Sequence, residues 1–288
     1  MRQLLTLLCF FTLWSVSGQN LLQYDLDVGD SFTIDQEAKQ VITQEISGMK
    51  QIINNDIIGA MHFKVVQSEP DYLVMEMSFK KIKMTMSSPS LGELMSMDTT
   101  SETDDMMSLL MRGAIDQPVT IYMYRNGKIN EVTGGDKLIE NMFKNAGMTQ
   151  PELINASKAQ MEKQFGTKAL TNSFEQMTFL FSEDEVNVND TWSNEYFGDL
   201  NAKNTWTLSS IEGDNYYING TADIAMKTTN DSVTMDLSGT QNTVVKGSLK
   251  TGVMVELLVN NECKGNSSIN GMEIPTTIKS TITYKIAE

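Results

Sequence analysis

Histidine occurs once, at His62, and cysteine twice, at Cys9 and Cys263. A Ser-His-Asp or Cys-His nucleophile system would have to run through His62. That residue lies inside the apolar, strand-like segment Gly59-Ala60-Met61-His62-Phe63 and reads as structural. Ordinary zinc sites want three or four His and Cys ligands, and with Cys9 inside the N-terminal export signal the mature chain is expected to keep one His and one Cys. Positive charge is also scarce: 22 Lys and Arg against 37 Asp and Glu leave a net charge of −15. Nucleic acids and anionic membrane surfaces both call for clustered Lys and Arg, so neither is expected as a partner. Glycine pairs such as Gly29-Asp30 and Gly134-Gly135-Asp136 read as turns, and no glycine-rich phosphate loop opens a helix after a strand. The acid clusters Glu102–Asp105 and Glu183–Asp190 lack the alternating oxygen ligands, central Gly and terminal Glu of an EF-hand loop, so they read as solvated faces. No apolar run reaches the roughly 20 residues that a membrane-crossing helix needs. No cofactor and no metal is implied.

What is present begins with an export signal. Arg2 supplies a positive start, Leu4 to Trp14 is apolar apart from Thr6 and Thr12, and Ser15-Val16-Ser17-Gly18 offers small residues for a signal peptidase. Cleavage is expected before Gln19, giving a signal peptide over residues 1–18 and an exported domain over 19–288. Bulky Leu7 and Leu8 stand before Cys9 where a lipobox wants small residues, so no lipid anchor is expected. The location implied is periplasmic or extracellular. Cys263 is then the one cysteine left, and it reads as a small buried hydrophobe.

Three zones follow. Residues 19–89 form the first β part. In the run from Tyr72 to Met86, Leu73, Met75, Met77 and Phe79 share one face, and after Lys80-Lys81 the apolar phase moves to Ile82, Met84 and Met86. A period-2 pattern that slips by one residue predicts a β-bulge, hence a bent and twisted sheet. Residues 90–180 read as mainly helical. Capping-box spacing at Ser90–Glu93 precedes a short stripe of Leu91, Leu94 and Met95. Thr103-Asp104-Asp105 opens a helix with Met106, Met107, Leu110 and Met111 inward, and Asp136 caps another that bears Leu138, Ile139, Met142 and Phe143. Thr149–Glu152 opens a third, and Leu170, Phe174 and Met177 mark a further stripe. A hairpin, Val119–Tyr124 and Ile129–Val132, turns at Asn126-Gly127. Residues 181–288 return to strands: Asn204–Ile211, Tyr216–Met226, Val233–Leu237, Thr243–Leu249, Val253–Val259, Asn266–Ile269 and Glu273–Ile286. Turns such as Asn230-Asp231 and Asn270-Gly271 separate them, which predicts an antiparallel meander.

One motif recurs. Val28-Gly29-Asp30-Ser31-Phe32 is echoed by Val188-Asn189-Asp190-Thr191-Trp192, and each copy leads to a strand, an acidic turn and a Tyr-led strand. That order predicts a degenerate internal duplication, with Phe32 and Trp192 as buried plugs. These motifs resemble an uncharacterised, domain-of-unknown-function family of exported Bacteroidetes proteins. The Val119–Gly134 hairpin, Lys250-Thr251-Gly252, Gly271–Pro275 and Thr281–Tyr284 carry the same resemblance. It implies a fold grouping and an envelope location, and it transfers no catalytic residue. The architecture expected is α+β: a curved antiparallel sheet from both ends of the chain, with central helices on its concave face. It resembles the half-barrel of periplasmic lipoprotein carriers.

Methionine is abundant, at 21 residues. Met75-x-Met77, Met84-x-Met86 and Met95-x-Met97 have the spacing of thioether copper sites, but the first two pairs continue an apolar strand face and read as core or cavity lining. The expected lining of an apolar cavity is Met75, Met77, Phe79, Ile82 and Met84 on the strand, facing Met106, Leu110 and Met111 on the helix. The function expected is non-enzymatic binding of an apolar or amphipathic ligand such as a lipid, or of a partner, between sheet and helices. The alternatives are a secreted hydrolase using two carboxylates and a purely structural secreted protein.

Overall fold

A computed structural model describes residues 20–287, apart from 103–104, 199, 230–232 and 270. The signal peptide with Cys9 and Gln19, the Thr103-Asp104 helix start, the Asn230-Asp231 turn and Asn270 lie outside the described residues. The strands are β1 (Ser31–Ile46), β2 (Met49–Ser68), β3 (Tyr72–Ser88), β4 (Gly92–Asp98), β5 (Val119–Tyr124), β6 (Ile129–Thr133), β7 (Thr191–Tyr196), β8 (Leu200–Glu212), β9 (Asn215–Thr229), β10 (Val233–Ser248), β11 (Met254–Ile269) and β12 (Met272–Ile286). Four helices lie between β4 and β7: α1 (Met106–Arg112), α2 (Gly135–Asn145), α3 (Pro151–Phe165) and α4 (Thr167–Thr178). All twelve strands form one curved, open, antiparallel sheet in the order β6-β5-β3-β2-β1-β12-β11-β10-β9-β8-β7, with β4 paired to the outer half of β3.

The phase slip in β3 is a bulge. Ala60 pairs with Lys81 and Met61 with Phe79, which leaves Lys80 unpaired. One extra residue keeps the apolar side chains before and after it on the same face while bending the strand.

The repeated motif marks two similar meanders. Gly29 and Asn189 both adopt left-handed backbone, at φ 99° and 77°. The Asp30 carboxylate accepts from the Asp27 amide at 2.9 Å, and the Asp190 carboxylate from the Asn187 amide at 2.7 Å. Gly29 N–H donates to Val65 O, and Asn189 N–H to Leu208 O. Just beyond those acceptors each partner strand carries a bulge, between Val65 and Gln67 and between Leu208 and Ser210. Strands β1-β2-β3-β5-β6 therefore match β7-β8-β9-β10-β11, laid side by side in the same direction with β12 between them. Segment 20–26 threads between their equivalent hairpin turns: Tyr24 N–H donates to Arg125 O and Asp25 N–H to Thr251 O.

Three details differ from the sequence reading. Ser90–Glu93 does not open a helix; this stretch leads into β4, because Met95 and Met97 pair in register with Met86 and Met84 and extend their apolar face. The segments read as Val233–Leu237 and Thr243–Leu249 belong to one strand, β10, which ends at Ser248, and those read as Val253–Val259 and Asn266–Ile269 belong to β11, which begins at Met254. The polar residues between them are ladder pairs such as Gln241–Asn261 and Asn242–Asn260, not turns. Phe32 and Trp192 are half-buried; the fully buried plugs are their cross-strand partners Phe63 and Trp206. Phe32 stacks on Phe63 at 5.2 Å, and Trp192 Nε1–H donates to Leu180 O.

Helix capping also departs in part. Asp105 caps α1 as expected, accepting from Ser108 N–H at 2.8 Å. Gly134, not Asp136, sits at the N-cap of α2, and α3 begins at Pro151 with no side-chain cap, so Thr149 makes no capping box.

Candidate concave binding face

The sheet alternates strictly between two chemistries. On β1, Asp35, Glu37 and Lys39 point outward while Ile34, Gln36, Ala38, Gln40 and Ile42 point to the concave side, as their pairing with buried Met61 and half-buried Ile57 requires. Carried across the register of all the ladders, no described Asp, Glu, Lys or Arg in these strands faces the concave side. The charges pair on the convex face instead, as in Lys83–Asp98 (3.2 Å), Lys227–Asp236 (3.3 Å), Lys279–Glu262 (3.1 Å) and Lys285–Glu256 (2.9 Å). Such exposed pairs contribute little stability each. Their arrangement keeps one side of the sheet uncharged.

One end of the concave face is filled. Phe174 on α4 meets Phe63 edge-on at 6.3 Å, and Tyr24 and Tyr216 pack on Phe181. The α4 helix and the residues after it also cover the gap between the edge strands β6 and β7. Glu175 Oε1 accepts from Ile129 N–H on β6, and burial raises its pKa. Phe179 O accepts from Asn194 Nδ2 and the Tyr196 hydroxyl on β7. Between α4 and the sheet remains a void of about 20 Å³, bordered by Tyr24, Phe63, Met75 and Met177. It has room for little more than one water.

In the other half of the face the side chains on β1, β2 and β3 are half-buried rather than sealed, namely Ile42, Ile53, Ile57, Ile82, Met84 and Met86. Across the same half Leu237, Cys263 and Ile278 on β10–β12 are buried, and α1 meets the sheet at β4, where Asp98 N–H donates to Ser108 Oγ. The eight residues expected to line a cavity divide between these regions. Met75 and Met77 are sealed in the filled end, and Leu110 and Met111 are on the buried side of α1 itself. Phe79, Ile82 and Met84 lie on the concave face from the bulge onward, partly accessible and packed against the core. Met106 is 60% exposed on α1. A seven-residue helix buries one side only, and the first-turn residue Met106 lies off it. The sequence reading missed Gln40, Asn55 and Ile57. The alternation of charged with uncharged polar residues along β1 was the signal that pointed to them.

Two side chains with nucleophilic or base chemistry, His62 and Cys263, stay apart. His62 Nδ1 lies 3.0 Å from Thr33 Oγ1 on the convex face, whereas Cys263 is buried on the concave face, where burial pushes its thiol pKa up. Arg125 is committed to structure: its guanidinium donates to the carbonyls of Glu69 and Tyr24 and to Ser68 Oγ, below a surface groove of about 530 Å³. Among the described residues no three His, Cys, Asp or Glu side chains are grouped to hold a metal, and no helix is long and apolar enough to cross a membrane.

A family of unknown function, DUF6263, matches residues 71–254. The chain belongs to this family. The match runs from β3 with its bulge, through the helices and the second copy of the repeated motif, to the end of β10, and leaves out β1, β2, β12 and nearly all of β11. No curated protein matches the chain. Among solved structures, one of lipovitellin, described by its lipid–protein interactions, is similar over 92% of this chain and 26% of its own, with TM-score 0.51 and 8% identity. This chain therefore spans about a quarter of that protein's length, and the likeness is one of fold. An outer membrane channel from Pseudomonas putida F1 aligns over 92% of this chain at 7% identity, with a TM-score of only 0.24.

Proposed function

We propose that this protein is an exported, non-enzymatic binding protein of the cell envelope that holds an apolar or amphipathic ligand on the open half of its concave face. The observation that carries this reading is the uncharged face itself. In a chain with 59 charged residues, the open region offers only apolar and neutral polar side chains. Apolar surface left accessible in a concavity is what a lipid chain requires, and half-buried Met84 and Met86 supply unbranched, polarizable side chains that adapt to varied ligands. The fold shared with lipovitellin, whose structure is described by its lipid contacts, supports the same reading. Export rests on the N-terminal pattern, and sequencing of the protein recovered from its own cells should begin at Gln19.

Binding is tested with Nile red, a neutral polarity-sensitive fluorophore. The purified protein should shift its emission to the blue, and monoacylglycerol or phospholipid should displace it. Ile57→Glu, which sets a carboxylate opposite Met84 on the open half, should weaken binding at least tenfold in a variant that still folds. Folded wild-type protein that leaves Nile red unshifted would remove this reading.

A further inference from the structure

We infer that the ligand carries an uncharged hydrogen-bonding group, a hydroxyl, which the open half of the concave face receives at Asn55 beside Gln40; this rests on the binding reading above. One register line of side chains crosses the concave face: Asn194, Asn204, Ala222, Gln241, Asn261, Ser280, Gln40, Asn55 and Met86. Directly paired residues on one face stand about 4.5–5.5 Å apart at Cβ, so amides in such a line can bond to one another. At the β7 end they do. Asn194 Oδ1 accepts from Asn204 Nδ2 and from Trp206 Nε1, both at 3.0 Å, and Asn194 Nδ2 donates to Phe179 O. In the middle, Gln241 Nε2 donates to Thr243 Oγ1, and the Ser280 hydroxyl donates to Asn261 Oδ1.

The line changes character at its far end. Asn55 Oδ1 is removed from solvent and has no hydrogen-bond partner. A buried, unpaired amide oxygen costs more than an apolar group of the same shape, so this oxygen points to a missing partner. The neighbouring rows are apolar, Ala38–Ile57–Met84 on one side and Ile42–Ile53 on the other. A chain lying across them would bring a polar group to Asn55 only part-way along its length. A hydroxyl can both donate and accept, and so satisfies either end of the amide. An ionised group would enter a face with no counter-charge, at a large desolvation cost. The occupant is therefore a neutral, hydroxyl-bearing lipid, with monoacylglycerol as the probe.

The test compares Asn55→Leu with wild type, using Nile red displacement by monoacylglycerol and by a hydrocarbon of the same chain length. Leucine preserves the shape of asparagine and removes the unpaired oxygen, so the variant is expected to fold at least as stably. Monoacylglycerol affinity should fall about tenfold while hydrocarbon affinity holds or rises, and Gln40→Leu should act in the same sense more weakly. An equal loss for both ligands would make Asn55 a shape residue and overturn the inference. Unchanged affinity for both would assign the orphan oxygen to bound water and overturn it too, leaving the binding reading intact. Failure of wild type to bind Nile red would overturn both.

Discussion

At Gly220 the chain omits a side chain so that Trp206 can lie flat across the neighbouring strand. A Cβ there would come within 2.3 Å of the Trp206 ring, and that ring is buried in the core. Gly220→Ala should therefore destabilise the protein by about 1–3 kcal/mol, read from urea unfolding, as overpacked cores do. At Asn189 a different freedom is used. Asparagine tolerates the left-handed backbone there better than most residues, but glycine holds the same place in the first copy at lower cost. Asn189→Gly should leave stability equal or higher by up to about 1 kcal/mol, whereas Asn189→Val should lower it. Both residues were visible in the sequence. The repeated motif made Asn189 readable as a turn, but nothing local to Gly220 announced the indole against it, because that contact is made by another strand.

Among the elements, α4 does the most for the fold. Its apolar face, Leu170, Phe174 and Met177, fills the closed end of the sheet, and the segment that follows it bonds to the edge strand β7. Phe174→Ala should cost about 3–5 kcal/mol. Hydrogen exchange should then speed up at Ile129, whose amide is held by Glu175, together with the β7 amides; faster exchange on one edge only would contradict a shared cover. The junction between β4 and α1 is held in another way. Asp98 accepts from the Thr100 hydroxyl and amide and pairs with Lys83, which together lower its carboxyl pKa to about 2. A carboxyl lowered on folding contributes stability that is present above its unfolded pKa of about 4 and lost as pH falls toward 2. Between those values the junction should loosen in wild type, and an Asp98→Asn variant should show a flatter acid response.

For the whole molecule, three buried phenols and the half-buried Tyr284 set an alkaline limit. Burial pushes the Tyr284 phenol up to about 12, and those of Tyr24, Tyr196 and Tyr216 well above their ordinary range. In the unfolded chain these groups ionise near pH 10, so the unfolded state releases protons that the native state keeps, and stability falls as pH rises above about 10. Urea midpoints should hold from pH 8 to pH 9.5 and then drop, less steeply in Tyr216→Phe. The convex charges should matter far less. Their removal in pairs is expected to change stability by under about 1 kcal/mol, since each pair is exposed.

The sequence by itself determined the antiparallel sheet, the bulge at Lys80, the Asn126-Gly127 hairpin and the repeated turn. Each of these is written in spacing over a few residues, through the alternation of faces or through backbone that only certain residues adopt. It also separated charged from neutral positions along β1, which is the trace of the concave face. Tertiary structure decided the rest, because the outcome depended on distant partners. The polar middles of β10 and β11 became ladder rather than turn once they found each other in register, and Met95 and Met97 became strand by pairing with Met86 and Met84. Met75 and Met77 went into the filled end because α4 returned over them, while Met84, on the same strand and of the same chemistry, stayed on the open half. Local pattern fixes which way a side chain points. What covers it is settled by elements far away in the chain.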